Sequence, residues 1–179
     1  MELKNGKFRI RNATVDDAKI LSRWWNDGAV MAHAGFPNGI GISEKKIIEL
    51  LKEDNDLNRR LIIEYENKPI GEMSYRTREN KKAEIGIKIC DSSQQNKGYG
   101  TEYLKMLMKY IFMGMEYSKI VLDTNLKNVR AQHVYEKLGF RKMRTNIDSW
   151  KDQLDELQSS VDYEMSKKEY ERMYASQDN

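Results

Sequence analysis

The sequence predicts an α/β (α+β) domain: a single mixed, largely antiparallel sheet of about six to seven strands flanked by helices. Three observations carry this. Two strand-like runs, Arg60 to Glu66 and Ile70 to Arg76, meet at Asn67-Lys68-Pro69, a tight turn that reads as a hairpin. Lys82 to Cys90 has a period of two, with Ile85, Ile87 and Ile89 on one face and Glu84, Gly86 and Lys88 on the other. After it, strand and helix patterns take turns along the chain, which suits a mixed sheet rather than a bundle or a sandwich.

The elements follow in order. Phe8 to Arg11 alternates apolar and basic residues, as a half-buried edge strand does. Thr14-Val15-Asp16-Asp17 is a capping-box pattern that starts a helix, with Ala18, Leu21 and Trp25 on one face and Trp24 beside them; Asn26-Asp27-Gly28 stops it. Residues 28–42 hold Gly28, Gly35, Gly39, Gly41 and Pro37, the composition of a long shaped loop, and a second helix runs from Ser43 to about Glu53. Beyond the period-two strand, the polar loop Asp91 to Lys97 leads into the longest helix, Gly98 to Tyr117, with Gly100, Leu104, Leu107 and Ile111 at helical spacing. Lys119 to Asp123 reads as a short buried strand. Asn128 can N-cap a helix whose inner face is Ala131, Val134, Tyr135 and Leu138, closed by Gly139. Phe140 onward returns to strand, Trp150 to Gln158 reads as a polar insertion, and Val161 to Met165 is the last strand. Ser166 and Glu169 form a final capping box. A single domain over residues 1–174 and a frayed tail over 175–179 are expected.

Composition limits what such a domain can do. The 179 residues are 39% hydrophobic, enough for one core that needs no staples. Thirty-one basic residues face 28 acidic ones, and the basic runs, Lys81-Lys82 and Lys167-Lys168, are dipeptides with acids nearby, so no nucleic-acid stripe is expected. No apolar run reaches membrane length, and a soluble, cytoplasmic protein, monomer or homodimer, is expected without a membrane role. A single cysteine, Cys90, excludes an internal disulfide, and with His33 and His133 it has no zinc-ligand spacing, so no metal is expected.

The chemistry-bearing segment is Gln95-Asn96-Lys97-Gly98-Tyr99-Gly100-Thr101, a glycine-bearing loop between a strand and the longest helix. Backbone N–H groups at a helix start are unsatisfied and lie at the positive end of the dipole, and glycines let an anion approach them. Lys97 adds charge. The loop lacks the GK[ST] of a Walker motif, and Tyr103 stands where a dinucleotide fingerprint has its third glycine. A helix start with small residues for packing is the plain alternative.

In this setting, Gln95-x-x-Gly98-x-Gly100 between strand and helix resembles the acetyl-CoA pyrophosphate loop of the GNAT family of N-acetyltransferases. Asn128-x-x-Ala131-x-x-x-Tyr135-Glu136-Lys137-x-Gly139-Phe140 is similar to that family's next signature, in the right order downstream. Phe8 to Trp25 resembles its first strand and helix, and Trp24-Trp25-Asn26-Asp27 its branch of ribosomal-protein N-terminal acetyltransferases. Thr145 to Val161 matches least.

The resemblance implies a GNAT-like acyl-CoA N-acyltransferase fold, with acetyl-CoA as co-substrate and a peptide N-terminus or small-molecule amine as acceptor. It implies that the backbone of Ile87, Lys88 and Ile89 carries the pantetheine arm, that Gln95, Asn96, Lys97, Gly98, Tyr99, Gly100 and Thr101 hold the pyrophosphate, and that Asn128 and Lys137 contact the cofactor. Asn128 is equally a plain N-cap. Tyr135 would protonate the departing thiolate; otherwise it is a helix-face aromatic with a satisfied hydroxyl. A primary amine with a pKa near ~10.4 must lose a proton before it attacks, and Glu84 would take that proton directly or through water. Otherwise Glu84 is a solvated surface charge. Glu72 and Asp123 are the lesser candidates for the base. Trp24, Trp25, His33, Phe36 and Glu72 would shape the acceptor pocket. No pattern places a base beside Cys90, so it reads as a small buried residue rather than a nucleophile. A non-catalytic acyl-CoA-binding module is the rival reading.

Overall fold

A computed structural model of the chain describes residues 1–174, so the expected tail over 175–179 lies outside the described residues. One sheet of eight strands runs through the molecule in the order β1-β2-β3-β4-β5-β6-β8-β7. The strands are β1 (Glu2–Asn5), β2 (Phe8–Asn12), β3 (Asn58–Tyr65), β4 (Lys68–Arg78), β5 (Lys82–Ile89), β6 (Lys119–Asn125), β7 (Arg141–Lys151) and β8 (Leu157–Ser166). Only β5 and β6 pair in parallel, so the sheet is mixed and largely antiparallel as expected.

The count of eight corrects the expected six to seven. The extra strand, β1, is four residues long and joins β2 across Gly6, which has a φ of 56°. A strand that short carries no readable period. Trp150 to Gln158 is likewise not an insertion: Trp150 pairs with Gln158 and Lys151 with Leu157, so the segment is the turn end of a β7–β8 hairpin.

Helices cover both faces. On one side lie α1 (Ala18–Trp25), the short α2 (Gly28–Met31) and α3 (Glu44–Lys52); on the other lie α4 (Tyr99–Lys109), α5 (Val129–Lys137) and α6 (Lys167–Tyr174). Residue parity on β3 divides the two cores: Ile62 packs with Leu21, Trp25 and Ile47, whereas Leu61 and Ile63 pack with Tyr103, Leu104 and Leu107. Expected caps are present. Thr14 N–H donates to Asp17 Oδ2 at 2.8 Å, Asn128 Oδ1 accepts from Ala131 N–H at 3.2 Å, and Ser166 N–H donates to Glu169 Oε2 at 2.8 Å. The helix expected to run to Tyr117 stops being α-helical at Lys109 and ends in a π-turn, Met115 N–H donating to Tyr110 O at 3.0 Å. Gly114 permits this wider turn, because a Cβ there would lie 3.3 Å from the Tyr110 ring.

One irregularity positions the site. β5 and β6 pair only at Lys82–Lys119, Ala83–Ile120 and Glu84–Val121. Past Glu84, β5 stays with β4 out to Ile89 and β6 stays with β8 out to Asn125, so the two strands splay and a wedge opens between them.

Candidate active site

The wedge is a cavity of about 880 Å³, lined by β5 from Gly86 to Ile89, by the loop and first turn of α4, by Asp123 to Asn125 of β6, and by one face of α5. Gly98 N-caps α4 with a φ of 78°, and a Cβ added there would meet no atom within 4 Å. At Gly100 a Cβ would meet only Ile87 Cδ1, at 4.0 Å. Neither glycine is demanded by protein packing; each instead keeps the cavity side of the loop backbone bare. Asn96, with a φ of 61°, accepts from Arg130 Nη1 at 2.9 Å, which ties the loop to the first turn of α5.

Strand parity decides which backbone groups of β5 face the wedge. Gln95 Nε2 donates to Ile89 O at 2.9 Å, on the edge away from β4. N–H and C=O of one residue share an edge and alternate along a strand, so Ile87 presents both of its groups to the cavity. Lys88 has the opposite parity. Its carbonyl lies toward β4, so close to Gly71 that a Cβ on that glycine would fall 2.1 Å away, and its backbone is not free for the pantetheine pairing expected of it.

Tyr135 is 6% exposed, lines the wedge, and packs edge-on against Phe140 and Tyr163 with ring centroids 6.1 and 5.7 Å away. Its hydroxyl has no hydrogen-bond partner among the described residues. Burial pushes its pKa up to about 12, the nearby Asp123 carboxylate adding to the effect, so it carries its proton throughout the neutral range. Asp123 opens onto the same cavity. Its carboxyl is also raised, first because partial burial disfavours its charged form and then because the Glu84 and Asp162 carboxylates stand near.

Glu84 faces away from the isoleucines, as the period of two expects, but Arg78 holds its carboxylate at 2.8 Å from Nε and 2.7 Å from Nη2, and it lines neither cavity. Lys137, on the exposed last turn of α5, and Lys97, bonded to Gln94 Oε1 at 3.0 Å, also stand outside the lining, whereas Asn128 and Thr101 are part of it. Tyr99 lines the wedge and stacks on Tyr65, with centroids 4.4 Å apart.

A second cavity of about 430 Å³ opens on the α1–α3 side and shares Gly86, Ile87 and Lys88 with the wedge. Glu72 is set in its wall at 9% exposure; Trp25 Nε1 donates to both its oxygens at 2.9 Å, and Lys88 Nζ lies 3.3 Å from Oε1. Trp24, one residue earlier, turns into the α1–α3 core and lines neither cavity, and Phe36 is exposed outside both, so neither shapes a pocket here. His33 lines the wedge with Ala29, Val30 and Ala34. Cys90 is buried, and burial raises its thiol, Glu72 adding to the effect, so it is a poor nucleophile.

The sequence reading missed how the segment 150–158 serves the site. Trp150 lines the wedge, and its ring fills the space where a Gly35 side chain would be, a Cβ falling 2.5 Å from Cζ3. Gln153 accepts from Asn38 N–H at 3.0 Å and donates through Nε2 to Gly39 O at 2.9 Å, while its own N–H donates to Gly35 O at 2.8 Å. The turn end of the β7–β8 hairpin thereby straps the glycine-rich loop over the wedge. The four loop glycines were the only local trace of this.

Comparison with known proteins places this architecture. Across 145 residues the chain is 26% identical to the uncharacterised N-acetyltransferase YnaD of Bacillus subtilis, spanning 79% of this chain and 84% of that protein. Shorter matches at 37% identity reach a kanamycin resistance protein of Rhizobium radiobacter over 61 residues and an aminoglycoside N(6')-acetyltransferase type 1 of Klebsiella pneumoniae over 57; these span only 56% and 28% of those proteins and 34% and 32% of this chain. The crystal structure of spermidine N-acetyltransferase from Vibrio cholerae in complex with CoA and spermine shares the fold, with a TM-score of 0.83 at 21% identity over 93% of this chain and 99% of that one. A family model for the acetyltransferase (GNAT) domain matches residues 7–141, and the chain therefore belongs to the GNAT acetyltransferase family.

Proposed function

We propose that the protein is an N-acetyltransferase that transfers the acetyl group of acetyl-CoA to a primary amine of a small molecule by direct attack in a ternary complex. The observation that carries this is the wedge: a splayed strand pair whose bare backbone edge, glycine loop and buried Tyr135 converge on one cavity. Bound acetyl-CoA supplies the activated acyl thioester. The N–H groups at the start of α4 then bind its pyrophosphate, with Gly98 and Gly100 leaving room for it. Ile87 pairs through its backbone with the amide arm. Tyr135, protonated and otherwise unbonded, delivers its proton to the thiolate as the C–S bond breaks. The incoming ammonium surrenders a proton before attack, and Asp123, inside the cavity, suits that role directly or through water better than Glu84, which Arg78 holds outside it.

The acceptor class is drawn from the relatives. Where the descriptions of those named above give an acceptor it is an aminoglycoside or spermidine, and none is described as modifying a protein N-terminus. The Trp24-Trp25-Asn26-Asp27 stretch behind the N-terminal-acetyltransferase expectation has structural work of its own. Trp24 fills the core, Trp25 holds Glu72, Asn26 exchanges two 2.8 Å bonds with Ile42, and Asp27 caps α2. The test is acetyl-CoA calorimetry beside a thiol-release assay with an amine panel. Saturable binding and amine-dependent thiol release are expected. Binding without release from any amine would instead favour a non-catalytic acyl-CoA sensor, and absence of binding would overturn both readings.

A further inference from the structure

The second cavity is a trough with opposite charges at its two ends. Glu72, Ser74 and Arg76 follow one another at every second position of β4 and so share a face. Glu72 marks the end that joins the wedge, and Arg76 lies four residues further along the strand, roughly 13 Å at the usual strand rise. Between them the floor is small: Gly86 lies opposite Ser74, and a Cβ on it would sit 3.3 Å from Ser74 Oγ.

The pairing of the charges matters more than their number. Glu84 is the cross-strand neighbour of Arg76 and its natural ion-pair partner, yet Arg78 has taken that carboxylate. Arg60 is bound to Asp54 at 2.6 Å, Arg59 to Asp56, and Lys88 leans on Glu72. Among the described residues the Arg76 guanidinium has no ion-pair or hydrogen-bond partner, although it lines the cavity. Arginine's planar fork of donors matches a carboxylate. Across the whole lining, four cations face three carboxylates, of which Asp54 and Glu72 are already engaged. A polycation would therefore meet a lining with more cations than carboxylates and, at the end away from Glu72, a repelling Arg76.

We infer that the acceptor is a small amine that also carries a carboxylate: its ammonium is received at Glu72, beside the wedge, and its carboxylate by Arg76. The inference rests on the acetyl transfer proposed above and sets this trough apart from one suited to polyamines or aminoglycosides. The reach of the Glu72 and Arg76 side chains, set against the roughly 13 Å between their strand positions, decides the length of acceptor that spans the two ends.

The test compares matched amines that differ only in the carboxylate: putrescine with ornithine, cadaverine with lysine, agmatine with arginine, and spermidine alongside. In thiol release, the carboxylate-bearing member is expected to have the higher kcat/KM by about 10-fold or more, the size of a charge-assisted hydrogen bond. Arg76→Gln erases that preference through KM, leaves kcat and acetyl-CoA affinity unchanged, and Arg76→Lys restores part of it. Calorimetry of the same pairs on the CoA-loaded protein measures the preference without turnover. Tighter binding of the bare amines, spermidine outperforming every carboxylate-bearing amine, or an Arg76→Gln loss equal for both members of a pair would overturn the inference while acetyl transfer stands. A binding preference that disappears in Arg76→Gln, with no thiol release from any amine, would support the trough and overturn the transfer reading instead.

Discussion

Replacing Gly100 by alanine is expected to strengthen the fold and weaken its ligand at the same time. Gly100 is the second residue of α4, and a methyl group there approaches nothing closer than Ile87 Cδ1 at 4.0 Å. Substituting alanine for glycine at a compatible helical position stabilises by about 0.5–1 kcal/mol, mainly by restricting the unfolded chain. In a chain of this size each kcal/mol moves Tm by about 2–4 °C, so a rise of about 1–4 °C is expected. The same methyl group occupies the cavity side of the loop, where the proposed mechanism brings the pyrophosphate to the backbone. Losing one hydrogen bond to a charged group costs about 1.5–3 kcal/mol, which corresponds to a Kd weakened by about 10- to 100-fold. Scanning calorimetry of the free protein gives the first quantity and titration calorimetry with acetyl-CoA the second. A raised Tm with unchanged affinity would refute the placement of the pyrophosphate. Gly98→Ala cannot separate the two effects, because a φ of 78° costs an alanine about 1–2 kcal/mol before any ligand is considered.

Tyr135→Phe is expected to lower kcat by about 100-fold with acetyl-CoA affinity and Tm nearly unchanged, since the lost hydroxyl has no partner among the described residues; a near-normal kcat would reject it as the acid. The folded protein holds the Asp123 proton more tightly than the ordinary carboxylate value of 3.8, so ionising Asp123 destabilises the fold as pH rises through its raised pKa, while below 3.8 both states are neutral. Asp123→Asn is therefore expected to raise Tm at pH 7, with the gain shrinking toward zero as pH falls below 3.8, and to lower kcat/KM by about 100-fold at neutral pH. Equal Tm at all pH values would contradict the raised pKa, and unchanged kcat/KM would remove Asp123 as the base. Gly35→Ala, with a φ of 93° and a Cβ 2.5 Å from the Trp150 ring, is expected to lose about 2–8 °C of Tm, whereas Trp150→Ala is expected mainly to raise the acceptor KM by loosening the strap.

Features with a local cause could be read from the chain. The period of two in β5, the caps at Thr14, Asn128 and Ser166, and the glycines at the start of α4 each state their geometry within a few residues, and all are found in place. What could not be read depends on partners far away in sequence. The strap joins Gln153 to Asn38 and Gly39 across more than a hundred residues, and nothing near Trp150 announces that its ring belongs beside Gly35. Adjacent tryptophans differ by about a third of a turn of helix, which sends Trp24 into the core and Trp25 to Glu72; their common motif does not record that difference. The face of Glu84 was legible, but its capture by Arg78 follows from the β4–β5 register and the turn between those strands, and this moves the role of base toward Asp123.

The three-residue seam between β5 and β6 has a consequence for how such a protein changes over generations. In the proposed reading the wedge recognises through main-chain groups left over where pairing stops, and a main chain is the same whatever side chains it bears. Substitution at Ile85, Ile87 or Ile89 by another β-branched residue leaves that edge intact, whereas the trough next to it is written in side chains, where one change at Arg76 or Glu72 rewrites what fits. One half of the molecule thus tolerates drift while keeping its partner, and the other can exchange partners by single substitutions.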